Sequence, residues 1–256
     1  MAKVISFANQ KGGVGKTTSA VNMAASLGTY GKKVLMIDLD PQGNATSGLG
    51  VEKRQLKASS KDILTGDVDI KDAIIETGYD NLSLIPTDTT LAGIEYELYD
   101  MLDYEELPYR LKNVVAPILP DYDYIIIDCP PSLGMITINA FTASDGVVVP
   151  VQSEFYALEG LSQLIKTIKG IKQKYNPELL ISGILITMHS SISLHSRGVV
   201  NELKKYYADK LFETRISRNI RLAEAASYGM PVYYYDKSAK GTKEYLEVAK
   251  ELLDRI

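Results

Sequence analysis

A mostly parallel, twisted α/β sheet with helices on both faces is predicted for this 256-residue chain by three observations. Short apolar runs alternate with longer segments of helical periodicity along nearly the whole length. Several runs are β-branched and apolar at every position, as strands buried on two faces must be. The first run breaks at once into a glycine-rich loop that ends in Lys16-Thr17.

In chain order, the run at residues 4–8 reads as the first strand, and residues 16–27 as the helix that follows the glycines, closed by Gly28 and Gly31. Residues 34–37 and 82–85 are the next apolar strands, followed by a helix at 91–101. The run at 124–127 holds three consecutive isoleucines and precedes a helix at 132–142. Strands at 147–151 and 180–188 flank a helix at 158–175, which Pro177 follows. Helices at 199–207, 221–227 and 243–253 complete the pattern. Tyr233-Tyr234-Tyr235 precedes that last amphipathic helix and is expected as an aromatic strand at the sheet's edge. No linker, heptad run or repeat interrupts the pattern, so one domain over residues 1–256 is expected.

The chemistry starts at Gln10 to Thr18. Gly12, Gly13, Val14 and Gly15 form a loop whose backbone N–H groups can turn toward anionic oxygens. Lys16 supplies a cation to the β/γ-phosphates, and Thr17 offers a hydroxyl to Mg²⁺. The standard pattern wants a glycine where Gln10 stands, and an extra cation, Lys11, sits beside it. Asp38 and Asp40 lie at the C-terminal end of the second strand, the edge where open α/β sheets bind ligands. Asp128 ends an apolar strand in the manner of a Walker B carboxylate that orders Mg²⁺ or its water shell. These three pieces, in this order, point to a P-loop NTPase-type fold that binds a nucleotide.

The segments Lys11 to Thr17, Asp38-Leu39-Asp40-Pro41-Gln42-Gly43-Asn44 and Asp128-Cys129-Pro130-Pro131-Ser132-Leu133-Gly134 resemble the deviant Walker ATPases. Within that group the chain looks like the ParA/Soj partition proteins. Pro150-Val151-Gln152, Ala157-Leu158-Glu159-Gly160-Leu161 and Ser217-Arg218-Asn219-Ile220-Arg221-Leu222-Ala223-Glu224-Ala225 are similar to that group too. The resemblance runs from about Val4 to Leu253. It implies a slow, partner-stimulated ATPase in which ATP and Mg²⁺ close two subunits into a homodimer. Lys11 then reaches the partner's nucleotide, as an arginine finger does. Catalytic roles fall to Lys11, Lys16 and Asp40, with Asp40 positioning the attacking water. Nucleotide contacts fall to residues 11–18 together with Met188, Ser217 and Arg218. Thr17, Asp128 and Asp38 are implied around the metal, with Asp38 holding the loop or the magnesium shell. Gly12 is expected at the dimer contact. The resemblance also implies nonspecific binding to double-stranded DNA, hydrolysis stimulated by a ParB-type centromere-binding protein, and a cytoplasmic, nucleoid-associated location.

The chain departs from that family twice. His189-Ser190-Ser191-Ile192-Ser193 replaces a loop of the type Asp-x-Arg-Thr-Asn, with Ile192 at the arginine's place, and Ser217 replaces a proline near the adenine. Basic residues nevertheless concentrate nearby. Between His195 and Arg221 stand seven Lys or Arg against three acidic residues, a surplus of four in a chain of net charge −4. Arg197, Arg215 and Arg221 are the expected DNA contacts, and pairing two such patches across a dimer doubles the phosphates engaged.

Other classes fit less well. One cysteine, Cys129, rules out an internal disulfide and reads as a packing residue rather than a cluster ligand. His189 and His195 have no ligand partners at metal spacing and read as surface loop residues. A MinD-like positioning ATPase acting through a membrane is the alternative, and the acidic end around Glu251, Asp254 and Arg255-Ile256 speaks against it. A carboxylate-phosphorylating ligase has no use for Lys11 or the Asp38–Asn44 segment. The larger plasmid ParA type, with an added helix-turn-helix region, is not expected. No apolar stretch reaches the ~18 residues of a membrane span.

Overall fold

A computed structural model describes residues 1–154 and 157–255, and the side chains of all of these but Ala157 and His195. Seven strands form one sheet: β1 (Lys3–Phe7), β2 (Val34–Asp38), β3 (Ile75–Glu76), β4 (Leu82–Ile85), β5 (Tyr124–Asp128), β6 (Gly146–Gln152) and β7 (Leu180–Thr187). Their spatial order is β3-β4-β2-β5-β1-β6-β7, parallel throughout except for the short β3, which runs antiparallel to β4. Each of the six apolar runs predicted as strands forms one, within a residue or two of its expected ends. β1, β2, β4 and β5 are buried almost end to end because helices cover both faces.

Two apolar clusters fill the two sides. Leu35, Ile37, Ile125 and Ile127 face one, with the helices Met135–Ala143 and Ala157–Lys174 against them. Ile5, Phe7, Met36 and Ile126 face the other, beneath the first helix, Lys16–Thr29, and the last, Lys240–Arg255. Alternate residues along a strand point to opposite faces, so every strand but the short β3 supplies both cores.

The tyrosine run is not a strand. Pro231 starts a short helix, Val232–Tyr235, whose Val232 is buried and donates its N–H to Asn22 Oδ1 at 2.8 Å. Tyr235 N donates to Pro231 O, so the backbone groups an edge strand would offer are already turned inward. The outer edge belongs to β7, extended by isolated bridges from Ile184 to Leu211 and from His189 to Ser217. His189 is therefore half-buried and bridged rather than a surface loop residue. His195 falls in the backbone of the helix Leu194–Tyr207, and its side chain lies outside the described residues, as does Ile256. The short helices Asn44–Gly48, Ser60–Thr65 and Arg110–Val115 have no counterpart in the sequence-based expectation.

Candidate functional site

The strand register collects the site at the C-terminal edge of the sheet. Asp128 of β5 pairs in register with Phe7 of β1 on one side and with Asp38 of β2 on the other. The glycine loop leaves from the end of β1, so one carboxylate stands directly under it. Gly13 and Gly15 take left-handed backbone, with φ 72° and 81°, and Gly15 caps the first helix. That helix has no side-chain cap and no acidic residue in its first turn. Its N-terminal N–H groups are left for an external anion. Thr187 Oγ1, at the end of β7, donates to Val14 O at 2.8 Å and holds the loop from outside.

Lys16 is 7% exposed and makes no ion pair or hydrogen bond among the described residues. Both oxygens of the fully buried Asp128 likewise lack a hydrogen-bond partner; the Thr17 hydroxyl lies nearby without completing one. Burial first, and then the Asp38 charge, push the Asp128 carboxyl well above the usual carboxylate range, against the pull of Thr17 and Lys16. A buried cation on the glycine loop and a buried, unsatisfied carboxylate at the end of the neighbouring strand β5 can seat a polyphosphate and its metal. Magnesium fits this donor set, since it keeps several waters and binds through one or two protein oxygens plus phosphates. No cluster of three or more His, Cys, Asp or Glu able to hold a metal occurs among the described residues.

Asp38 is arranged differently. Its Oδ1 accepts from Asp40 N at 3.1 Å, and its Oδ2 accepts from Thr46 N and Thr46 Oγ1, both at 2.8 Å. Burial pushes its pKa up to about 6 despite the Thr46 bonds. With hydrogen bonds to both oxygens, Asp38 holds the 38–46 loop. Asp40 is nearly buried; its Oδ1 accepts from Gln42 N at 3.0 Å, and its second oxygen makes no hydrogen bond among the described residues.

Lys11 faces outward. Its N–H donates to Asn9 Oδ1 at 3.0 Å, and its Nζ pairs with Glu154 of the same subunit at 2.6 Å. A Cβ on the adjacent Gly12 would meet nothing within 4 Å.

Beside the loop a cleft of about 330 Å³ is walled by Gly15, Thr18, Met188, Ser217 and Arg218, which brings these predicted nucleotide residues together. Leu222 and Tyr245 line it as well, and neither was singled out from the sequence. Leu222 sits inside a quoted motif, but Tyr245 arrives from the last helix through tertiary packing alone. Ser217, in place of a proline, uses its N–H and Oγ to bind Glu244 Oε2, at 2.9 and 3.0 Å.

Residues 2–181 match the AAA domain family. Over 252 residues the chain is 50% identical to the sporulation initiation inhibitor protein Soj of Bacillus subtilis (strain 168), covering 98% of both chains. It is 44% identical over 255 residues to the chromosome partitioning protein ParA of Myxococcus xanthus, covering 100% of this chain and 89% of that one. The chain belongs to the Soj/ParA family of partition ATPases. A solved structure of cobyrinic acid a,c-diamide synthase from Mycobacterium smegmatis with bound ATP analog and magnesium also resembles it. The TM-score is 0.85 at 36% identity, over 99% of this chain and 95% of that one.

In this Soj/ParA chain the three expected DNA arginines do not form one free cationic surface. Arg197 is exposed on the helix Leu194–Tyr207. Arg215 is half-buried, with Nη1 3.3 Å from His189 Nε2. Arg221, on the helix Ile220–Ser227, donates to Glu224 Oε2 at 2.8 Å and lies 3.6 Å from Asp236 Oδ2. Ile192, at the family's arginine position, is 90% exposed. No helix among the described residues is long and apolar enough to cross a membrane. Cys129 is buried as a free thiol whose pKa burial pushes up.

Proposed function

We propose that this partition ATPase is an ATP-driven DNA-segregation switch. ATP with magnesium closes two copies face to face, the closed dimer binds duplex DNA without sequence preference, and a ParB-type partner triggers hydrolysis and release. The observation that carries this reading is the surface at Lys11 and Gly12. Lys11 points away from its own phosphate loop, and the open space over Gly12 leaves room for a second backbone to approach.

Each residue then has a defined part. Lys16 sits over the β/γ-phosphates, while Thr17 and Asp128 hold the magnesium shell. Magnesium, when bound, neutralises phosphate charge that the buried site would otherwise destabilise. Asp40 uses its uncommitted oxygen to orient a water, with Asp38 and Thr46 fixing the loop that carries it. Lys11 must leave Glu154 to act in trans, so its charge reaches the transferring phosphoryl group only after assembly. The decisive measurement is binding of random-sequence duplex DNA with ATP, ADP or no nucleotide. ATP-selective binding is expected; binding absent at every salt concentration overturns the segregation reading.

A further inference from the structure

His189 has two ring contacts that together assign its tautomer. Nε2 lies 3.3 Å from Nη1 of Arg215, and Nδ1 lies 3.0 Å from Oγ of Ser196. A guanidinium only donates, so Nε2 must be the acceptor and the proton sits on Nδ1, directed at Ser196. Ser196 Oγ is in turn 2.6 Å from Ser153 Oγ, and Ser153 precedes Glu154, the residue that holds Lys11. The backbone pins the imidazole as well: His189 N donates to Ile216 O at 2.9 Å, and Arg218 N to His189 O at 3.4 Å. One ring thus joins the end of β7 beside Met188, the helix Leu194–Tyr207, the loop carrying Arg215, and the end of β6.

We propose that His189 is a positioning residue: as the Nδ1–H tautomer it aims Arg215 and ties that arginine, through Ser196 and Ser153, to the end of β6 near the phosphate loop. The role rests on the DNA-binding reading above, with phosphate the ligand of Arg215. Protonation at Nε2 would set a donor and a positive charge against a group that has only donors and a positive charge. Acid must therefore release Arg215 from its place. The other charged groups facing the ring are Lys240 and Glu244 of the last helix; burial first, then Arg215 and Lys240, hold its protonation down, and Glu244 opposes them.

This fixes the sign of a pH effect. A bystander histidine that merely gains charge near DNA tightens binding in acid, whereas a histidine that aims an arginine weakens it. Binding of random-sequence duplex with ATP and magnesium should be measured from about pH 8 to about pH 5.5, spanning the imidazole range. The wild type should lose up to about sixtyfold relative to His189→Gln, because each lost phosphate contact costs up to about eightfold at 0.1 M salt and a dimer loses two, whose factors multiply. His189→Gln keeps an acceptor for Arg215 and does not titrate, so its profile should lack this loss; His189→Leu should bind weakly at every pH. Parallel profiles for wild type and His189→Gln, or tighter wild-type binding in acid, overturn the proposal. The chain has two histidines, so imidazole ¹⁵N shifts of the nucleotide-free protein can test the tautomer separately. A proton on Nε2 of neutral His189 overturns the positioning role even if DNA binding fails for other reasons. Absence of DNA binding at all pH values with the Nδ1–H tautomer intact overturns the DNA reading and the phosphate role of Arg215 with it.

Discussion

Lys11 and Lys16 lie on one loop in different surroundings, and that difference separates their roles. Lys16 is buried and unpaired, while the Lys11 side chain is 39% exposed and paired with Glu154. Lys16→Ala should abolish nucleotide binding, as read with a fluorescent ATP analogue. Lys11→Ala should keep nucleotide but lose ATP-dependent dimerisation and turnover; normal turnover in that variant would remove the trans role. The Asp38–Asp128 pair makes a second, independent prediction. Both carboxyls titrate above the usual range in the fold, so the nucleotide-free protein binds more protons folded than unfolded. Their favourable contribution is complete below the unfolded pKa of about 4 and is lost as pH rises through about 6, the value for Asp38, with Asp128 extending the window upward. Asp128→Asn should therefore raise the unfolding free energy of the nucleotide-free protein by about 1–2 kcal/mol near pH 8. That gain should shrink toward about pH 5 in urea titrations. An equal difference at both pH values would mean that Asp128 is not carrying an unfavourable charge.

Among the elements, the connection after β2 is the one that works as a lever. Asp38 ties it down by three hydrogen bonds, and Thr46 Oγ1 accepts from Thr87 N at 2.9 Å, so the loop is joined to the segment after β4. Asp40 hangs from this rigid support, which suits holding a water rather than building the phosphate seat. Asp40→Ala should bind ATP and dimerise yet hydrolyse it at least a hundredfold more slowly, the order lost when a positioned group is removed. Gly12→Val should show the reverse defect, ATP-bound and monomeric, since a Cβ there meets no atom of its own subunit within 4 Å and, in the proposed dimer, the added side chain projects toward the second subunit. Light scattering in ATP and magnesium reads both, and a monomeric Asp40→Ala protein would assign that carboxylate a different role. The elements legible in advance were those with strong period. Residues 124–127 and 147–151 have the uninterrupted apolar character of central strands, and 158–175 has a long amphipathic helical repeat. The helix Asn44–Gly48 was not legible because its five residues are ordered by Asp38 from eight positions away rather than by their own pattern. The tyrosine run misled because aromatic residues favour strands, and Pro231 with buried Val232 outweighs that preference.

For the whole molecule, charge is distributed so that assembly matters. The net charge is −4, and Arg221, an exposed arginine at the end of the basic stretch, is paired with Glu224 and Asp236. Exposed pairs of this kind are worth about 0–1 kcal/mol, so a DNA phosphate can displace the carboxylates, but a single subunit offers few such contacts. Arg221→Ala should lower the logarithmic salt slope of DNA binding by roughly two for the dimer, at about 0.9 per contact, and leave ATP binding and sizing unchanged. Identical slopes for variant and wild type would exclude Arg221 from the interface.

The nucleotide chemistry was legible in the sequence because it depends on local order. Glycines, a lysine and a threonine within a few residues make a phosphate loop wherever a strand meets a helix, and an aspartate closing an apolar strand lies at the ligand edge of a parallel sheet. Everything that depends on long-range contact waited for the tertiary structure. Register placed Asp128 beside Asp38, and only then could one carboxylate be seen satisfied and the other bare. The pairing of Lys11 with Glu154 spans 143 residues and that of Ser19 with Tyr245 spans 226. His189 looked like a loop residue until packing supplied a donor on one ring nitrogen and a hydroxyl on the other. Hydrogen bonds and desolvation act over a few ångströms of space, and no spacing along the chain records which distant side chains the fold brings that close.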